Sequence, residues 1–426
     1  MNYKEEINYK PLVLSSGLGS VLGSGLIVGI ASTITIWQNV LNLTTSQVGI
    51  VSSLLTFSIA IGSFLAGKIS KKMGLVNAFN KINILFIIGS ILIILAKNFP
   101  MLSIGTVLAG FATGVDLPVS LTVISHDAPD EKKSAEMISE TQVYWTIGIL
   151  VSVIVAFITS KMNGALSAQI VMGTMLLVSI LTIIFRNTNA NIKKIHDLAP
   201  KEVKDDKKVS LIDLLFKGDK KYLQFFVCII VFYCGWNLLA NTFGQFQTFM
   251  LVKANASQTF ATGAGLVLTV VILIVAMLFS KIAGGKNRNV AFAVGIITII
   301  TALIGLAMTA SNIVLIVVWL ALQNIGSTLA GEAMYKVWTQ ESFPSEYRSS
   351  VQGFINGFSR LLCAGFAIIT PVLVMPENIR RTMIAFAGLI AIAGIFGFLQ
   401  IRLQKKYNID QLSNVKRKEK INNLEI

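Results

Sequence analysis

The chain has 426 residues, of which 54% are hydrophobic and only 13% are charged. Soluble proteins carry about 25% charged residues, so this composition indicates an integral membrane protein. The formal net charge of +15 invites a nucleic-acid-binding interpretation. However, the Lys and Arg residues lie in short loops and tails beside apolar segments, which leaves no soluble domain to bind nucleic acid.

Apolar segments predict helices that each cross about 30 Å of hydrocarbon. In chain order they occupy residues 11–40, 46–70, 82–96, 101–125, 137–160, 166–185, 222–250, 259–279, 290–310, 314–338, 349–374 and 383–403. The polar stretch 186–221, with ten Lys or Arg against six Asp or Glu, separates the sixth segment from the seventh. We therefore predict an all-α integral membrane protein with twelve transmembrane helices in two six-helix halves. Its parts are an N-terminal half (1–185), a central loop (186–221), a C-terminal half (222–403) and a basic tail (404–426).

The positive charges predict the orientation of these helices, because Lys and Arg concentrate in short cytoplasmic loops. If both termini are cytoplasmic, all but seven of the 36 Lys and Arg residues fall in cytoplasmic segments or tails. We therefore predict a multi-pass plasma-membrane protein with both termini and the central loop in the cytoplasm.

The two halves carry similar loops after their fourth helices. A proline followed four residues later by a cation occurs in both, as Pro129 with Lys133 and as Pro344 with Arg348. This pattern indicates parallel duplication of a six-helix unit. Secondary transporters are built from such repeats and bind their substrate near the bilayer midplane, where the halves meet.

The seventh predicted helix carries a polar stripe. Asn237, Asn241 and Gln245 are four residues apart, so they share one face of a helix that should not point toward lipid. They either form hydrogen bonds between helices, worth about 0.6 kcal/mol each, or bind a polyhydroxylated ligand. Trp236 and Trp145 either stack on the apolar face of a sugar or pack against neighbouring helices.

Ionisable residues within the predicted helices should each face a cavity or a partner, because charge is costly in hydrocarbon. Glu332 and Lys336 are four residues apart, which predicts a local ion pair or a substrate contact. The planar guanidinium of Arg360 suits a carboxylate substrate, and its alternative role is that of a structural or gating cation. Asp116 is the candidate carrier of a coupling proton, with Arg360 as its nearby cation. The alternative for Asp116 is a fixed ion pair or a helix-capping contact.

Three motifs link the chain to a known family. They are an E-x-F-P-x-x-x-R pattern from Glu341 to Arg348, a Q-x-x-x-x-x-G pattern from Gln142 to Gly148, and a G-x-N pattern from Gly235 to Asn237. With these motifs the chain resembles the major facilitator superfamily, and within it the sugar porter branch.

The resemblance implies roles for particular residues. It implies that Gln142 and Asn237 contact sugar hydroxyls and that Ser359 occupies a substrate-contact position. Glu341 and Arg348 would belong to a cytoplasmic gate.

The chain also departs from the family pattern. His126 stands at the first-half gate glutamate and Lys133 at the gate arginine. The family's proton-linked aspartate and arginine in the first and fourth helices are missing, with Thr106 at the arginine position. An ordinary hexose is therefore not assumed as the substrate.

These observations predict a secondary active transporter that moves a small polar solute, a sugar, polyol or sugar acid, by proton-coupled uptake and alternating access. We expect partners to be the solute and the lipid bilayer, the protein to be a monomer, and a proton gradient rather than a cofactor to supply the driving force. The histidines have no nucleophile or metal partner, and the three cysteines lack metal-ligand spacing, which excludes most enzyme classes. The alternatives are a drug or metabolite exporter of the same superfamily and a non-transporting membrane sensor.

Overall fold

The first half of the chain is a bundle of helices. A computed structural model describes residues 8–129, 131–199, 211–283, 287–309 and 312–408. The helices of the first half are α1 (Lys10–Val40), α2 (Thr45–Met73), α3 (Leu75–Lys81), α4 (Asn83–Ile94), α5 (Phe99–Asp127), α6 (Glu131–Thr159) and α7 (Leu166–Thr188). Two short helices follow in the predicted central loop, α8 (Ala190–Leu198) and α9 (Leu211–Phe216).

The second half repeats this plan. Its helices are α10 (Lys220–Lys253), α11 (Gln258–Ala283), α12 (Arg288–Thr309), α13 (Ile313–Leu329), α14 (Glu332–Ser342), α15 (Ser345–Ala367), α16 (Thr370–Leu373) and α17 (Ile379–Lys406). The predicted all-α architecture in two six-helix halves is confirmed. The start of α1 and the finish of α17 lie at one end of the bundle, which we call the terminal end, and the opposite end is called the far end.

Within the described residues, 11 helices are long and apolar enough to cross a membrane. They correspond to eleven of the twelve predicted segments. The remaining position is taken by α15, which is more polar because it contains residues such as Arg348, Asn356 and Arg360. Since α15 packs between α2 and α10, part of its surface meets protein instead of lipid.

Polar caps fix the places where the helices start. At the far end, Thr44 and Gln47 form a capping box at α2, and the Asn98 side chain accepts a hydrogen bond from Met101 N in α5. At the terminal end, Asp219 caps α10, and the backbone N–H of Lys221 lowers the pKa of this carboxylate. These caps satisfy backbone N–H groups in the first turn of each helix.

Small residues allow helices of the same half to approach closely. A Cβ atom on Gly114 of α5 would lie 2.2 Å from the Ile59 carbonyl oxygen, and one on Gly62 of α2 would lie 2.4 Å from the Phe111 carbonyl oxygen. Close packing of this kind stabilises helix pairs in lipid, where the hydrophobic effect between helices is absent. The pair α2 and α5 is therefore a tightly packed unit of the first half.

The beginning of the predicted central loop is helical in the structure. Helix α7 continues to Thr188, so Arg186 belongs to a membrane helix, and its side chain is fully buried. The following α8 buries Ile192 and Ile195 and contacts α1 and α5. Part of the predicted loop is thus a helix docked on the terminal end of the first half.

The tenth predicted helix is interrupted near the middle of the bundle. Helix α13 ends at Leu329, and α14 begins at Glu332 after Gly331, whose φ and ψ are −130° and −133°. A Cβ atom on Gly331 would lie 2.5 Å from the Trp236 ring, so the indole needs a glycine there. The break starts a new helix at Glu332, partway along the predicted tenth segment.

Candidate functional site

The candidate site lies between the two halves, which meet through α1 with α10, α2 with α15 and α6 with α11. At the far end the halves are joined by hydrogen bonds. The Gln258 side chain accepts a hydrogen bond from Thr35 Oγ1 at 2.7 Å and donates one to the Ser32 carbonyl oxygen at 2.8 Å. Nearby, Ser160 Oγ donates to Thr259 Oγ1 at 2.9 Å. These contacts join the two halves at the far end.

The polar stripe of α10 lies along this interface. Asn237 Nδ2 donates to Ser359 Oγ of α15 at 3.0 Å. The side-chain oxygen of Asn237, Oδ1, has no partner among the described residues. Gln245 is buried, and its Nε2 donates both to Asn241 Oδ1 at 2.8 Å and to Thr56 Oγ1 of α2 at 2.9 Å. Gln245 therefore follows the alternative of hydrogen bonding between helices, while Asn237 and Asn241 stay partly exposed.

Aromatic side chains form one wall of the interface in the second half. The Trp236 indole N–H donates to Ser327 Oγ at 2.8 Å, and its ring stacks on Tyr233 with ring centroids 5.8 Å apart. Tyr233 in turn stacks on Tyr335 of α14 at 3.9 Å. Because Trp236 is buried in this stack, it follows the packing alternative.

Two further predicted substrate residues lie on α6. Trp145 packs toward Gly23 of α1, where its ring would be 3.2 Å from an added Cβ atom. Gln142 is exposed and lies three turns from Val153, on the same face of α6. Val153 faces Gly265 of α11, so this face of α6 points toward the second half. Gln142 thus stands on the interface side, nearer the terminal end.

The ionisable residues of α14 and α15 differ in their partners. Lys336 Nζ and Glu332 Oε1 form an ion pair at 2.8 Å, with 45% and 46% of their side chains exposed. This geometry matches the predicted local ion pair. On α15, Arg360 Nε donates to Asn356 Oδ1 at 3.0 Å, and Arg360 is partly exposed.

Asp116 lies in a fully buried ion pair. Its partner is Arg186, with Nη1 to Oδ1 at 2.6 Å and Nη2 to Oδ2 at 3.2 Å, and the side chains are 1% and 0% exposed respectively. The expectation that Arg360 is the cation beside Asp116 is therefore wrong. Arg186 was assigned to the loop because it directly follows an apolar run.

The other N–H groups of Arg186 also have acceptors. They donate to the carbonyl oxygens of Ser15 and Phe79 and to Ser120 Oγ, and the guanidinium carbon lies 3.8 Å from the centroid of the Phe79 ring. One side chain thus ties together α1, α3, α5 and α7. This geometry matches the alternative of a fixed ion pair, and the proton-coupling role of Asp116 stays a prediction.

The predicted gate residues lie at the terminal end. Glu341 forms a bidentate pair with Arg288 at 2.7 and 3.0 Å, and it also accepts a hydrogen bond from Gln404 Nε2 at 3.1 Å. Arg348 lies apart from this pair, and its Nε donates to the Phe343 carbonyl oxygen at 2.8 Å. Lys133 is partly buried near the start of α6.

The corresponding place in the first half holds a cluster that the sequence analysis missed. Asp127 is buried between two histidines, with His126 Nδ1 at 2.7 Å and His196 Nδ1 at 2.5 Å from its carboxylate oxygens. Through His196, this cluster attaches α8 to α5. The adjacent His126 was the available signal, but the contribution from α8 depends on the folded chain.

No group of metal-binding side chains is found among the residues that the structure describes. The described residues form surface grooves that include one of about 370 Å³ between α1 and α7 and one of about 540 Å³ beside α6, α11 and α13. Both are lined mainly by apolar side chains, and neither contains a predicted substrate residue. They face outward from the bundle, so the polar interface remains the candidate site.

Comparisons with known proteins agree with this architecture. The family model of the Major Facilitator Superfamily matches residues 13–368. The minor myo-inositol transporter IolF of Bacillus subtilis (strain 168) is 24% identical over 402 residues, covering 91% of this chain and 89% of that relative.

Solved structures show the same fold. The crystal structure of a D-xylose-proton symporter superposes with a TM-score of 0.71 at 14% identity, covering 91% of this chain and 96% of the other. A bacterial homologue of the human lysosomal transporter Spinster, in an inward-facing and occupied conformation, gives a TM-score of 0.69 at 15% identity, covering 92% and 97%. Because the family model spans well over half of its residues, this chain belongs to the Major Facilitator Superfamily and is a multi-pass membrane transporter, not an enzyme.

Proposed function

We propose that this protein moves a small polyhydroxylated solute across the plasma membrane by alternating access. The main observation is the polar interface at the middle of the bundle, where Asn237 of α10 binds Ser359 of α15 and keeps a free carbonyl oxygen. Hydrogen-bond acceptors and donors of this kind fit the hydroxyl groups of a sugar or polyol. The names of the similar proteins, a myo-inositol transporter and a D-xylose-proton symporter, support this solute class.

We further propose that the terminal end is cytoplasmic and that the described conformation faces inward. The distribution of Lys and Arg supports the orientation. The conformation is supported by the hydrogen bonds of Gln258, which join the two halves at the far end, and by the exposed Gln142 toward the terminal end. In this state the solute would enter or leave from the cytoplasm.

A drug exporter of the same superfamily is the alternative, and it would have a more apolar central surface than the one that Asn237 and Asn241 provide. A membrane sensor would bind solute without moving it.

We propose a monomer, with Glu341, Arg348 and Lys133 near a cytoplasmic gate.

We propose a proton gradient as the driving force, with Asp116 as the candidate proton carrier. In the described conformation its carboxylate is held by Arg186. A coupling role therefore requires this ion pair to open in another conformation, because both carboxylate oxygens are bound here.

The transport proposal is tested by solute uptake into proteoliposomes containing the purified protein. We expect uptake of at least one labelled polyol or sugar, and weaker solute binding for Asn237→Ala and Gln142→Ala. A lost hydrogen bond of about 1 kcal/mol corresponds to a roughly fivefold loss of affinity. Asn187→Ala removes an exposed amide outside the interface and serves as the matched control.

The outcomes separate the alternatives. Binding without transport would support a sensor, and transport of hydrophobic compounds in preference to polyols would support an exporter. If both interface variants bind and move the solute as the wild type does, the interface is not the solute site.

A further inference from the structure

Arg360 is a cation near the middle of the bundle that has no acidic partner among the residues that the structure describes. It lies about fifteen residues, or ~22 Å of helix, from the start of α15. Its Nε donates to Asn356 Oδ1 one turn earlier, and it forms no ion pair with any carboxylate that the structure describes. An unneutralised charge at this depth is unfavourable unless water or a ligand compensates it.

The hydrogen bond to Asn356 leaves the outer edge of the guanidinium unused. Arginine has five N–H groups, and the four on its two Nη nitrogens have no protein acceptor among the described residues. Two parallel N–H groups of this kind match the two oxygens of a carboxylate. Asn356 restricts the side chain on the opposite edge, so the free edge is oriented before a ligand arrives.

The surrounding charges favour an anion with a single negative charge. Glu332 is already paired with Lys336, so this pair adds no net charge. Glu332 begins α14, whose Tyr335 stacks on Tyr233 of the aromatic wall. One carboxylate would neutralise Arg360, whereas a dianion such as a phosphate ester would leave an excess negative charge at the interface.

A site for hydroxyl groups lies directly beside Arg360. The preceding residue, Ser359, holds the amide of Asn237, whose carbonyl oxygen is free to accept a hydrogen bond. The donor edge of Arg360, which can bind a carboxylate, and the amide of Asn237, which can bind a hydroxyl group, therefore lie together where α10 meets α15.

We infer that the solute is a polyhydroxylated monocarboxylate, such as an aldonate or a uronate, whose carboxylate binds the two Nη groups of Arg360. This inference rests on the proposed transport function and names the substrate class of the same site. It makes Arg360 the residue that distinguishes a sugar acid from the corresponding neutral sugar or polyol.

The test compares acids with neutral compounds of the same carbon skeleton. The pairs are gluconate with glucitol, glucuronate with glucose, galactonate with galactitol and galacturonate with galactose, and myo-inositol is a further neutral probe. Binding to the purified full-length protein is measured by calorimetry at neutral pH, where the acids are ionised. For the wild type we expect at least one acid to bind tenfold or more tightly than its neutral counterpart.

Variants then assign this preference to Arg360. Arg360→Gln should weaken binding of that acid at least tenfold and change binding of the neutral counterpart less than twofold. Arg360→Lys should give an intermediate loss, because lysine keeps the charge but not the paired donors. The matched control is Arg381→Gln, which removes an exposed cation at the far end and should change neither affinity.

The results distinguish this inference from the transport proposal. If neutral compounds bind and are transported while every acid binds no better than its counterpart, the inference is overturned and the transport proposal stands. An acid preference that survives Arg360→Gln also overturns it. If no compound of the panel is bound or transported, both fail. If Arg360→Gln does not fold, the wild-type comparison of acids with neutral compounds still tests whether the solute is an acid.

Discussion

Two ion pairs of nearly equal length occupy opposite environments in this protein. Asp116 and Arg186 are 2.6 Å apart and almost completely buried in the first half, whereas Glu332 and Lys336 are 2.8 Å apart and about half exposed in the second half. Their distances do not distinguish them. The difference is that removing one partner of the first pair leaves a buried charge, whereas water can replace the missing partner in the second.

This comparison assigns different tasks to charges that look alike in the sequence. Arg186 of α7 binds three other helices through Ser15, Phe79 and Asp116, so it holds the first half together. Glu332 and Lys336 lie one turn apart on one short helix, so their ion pair joins no second helix. The following variants test whether burial decides the effect of each pair.

We expect the largest effect from Asp116→Asn. Asparagine leaves the Arg186 charge buried without a carboxylate, and breaking a buried pair in this way destabilises a protein by about 3–5 kcal/mol. The measurement is the free energy of unfolding by denaturant in mixed micelles. The double variant Asp116→Asn with Arg186→Gln should recover part of this loss, because neither charge is then left alone.

The same variant tests proton coupling. If Asp116 carries the coupling proton, Asp116→Asn should still exchange solute across the membrane but should no longer accumulate it when a proton gradient is imposed. A folded Asp116→Asn protein that accumulates solute normally would exclude the coupling role, and one with unchanged stability would exclude the structural role.

An intermediate effect is expected for Glu341→Gln. Its pair with Arg288 is bidentate, and the two side chains are 8% and 4% exposed. Because the pair lies at the terminal end and Gln404 remains nearby, we expect a loss of about 2–3 kcal/mol, below the range for a fully buried pair. The same unfolding experiment measures it, and a loss as large as that of Asp116→Asn would contradict the ranking by burial.

The smallest effect is expected for Lys336→Gln. Glu332 is about half exposed, so losing this pair should change the free energy of unfolding by less than about 1 kcal/mol. Solute binding is measured in parallel, with Lys405→Gln in the final turn of α17 as an exposed control. A strong loss of binding without a loss of stability would make Lys336 a solute contact.

Hydropathy and charge distribution were sufficient to predict the two halves, because the membrane requires long apolar helices with polar connections. They were insufficient for Arg186. A cation directly after an apolar run looks like the start of a loop, and its pairing with Asp116 depends on how α5 and α7 pack. The available signal was Asp116 itself, since a carboxylate in an apolar helix requires a partner.

The candidate site could be predicted only in part for the same reason. The four-residue spacing of Asn237, Asn241 and Gln245 placed all three on one face of α10. The spacing could not show that Thr56 of α2 lies beside Gln245. The hydrogen bond to Thr56 makes Gln245 a contact between helices. Likewise, the E-x-F-P-x-x-x-R pattern did not reveal that Arg288 is the cation beside Glu341.

The chemistry of the Gln258 hydrogen bonds at the far end determines how they respond to pH and salt. The bonds described there join an amide, hydroxyl groups and a backbone carbonyl oxygen, and none of these groups titrates near neutral pH or carries a charge that salt would screen. These three hydrogen bonds should therefore depend little on acidity or ionic strength. We expect the contact that Gln258 makes between the two halves to persist in dilute and saline, acidic and neutral media.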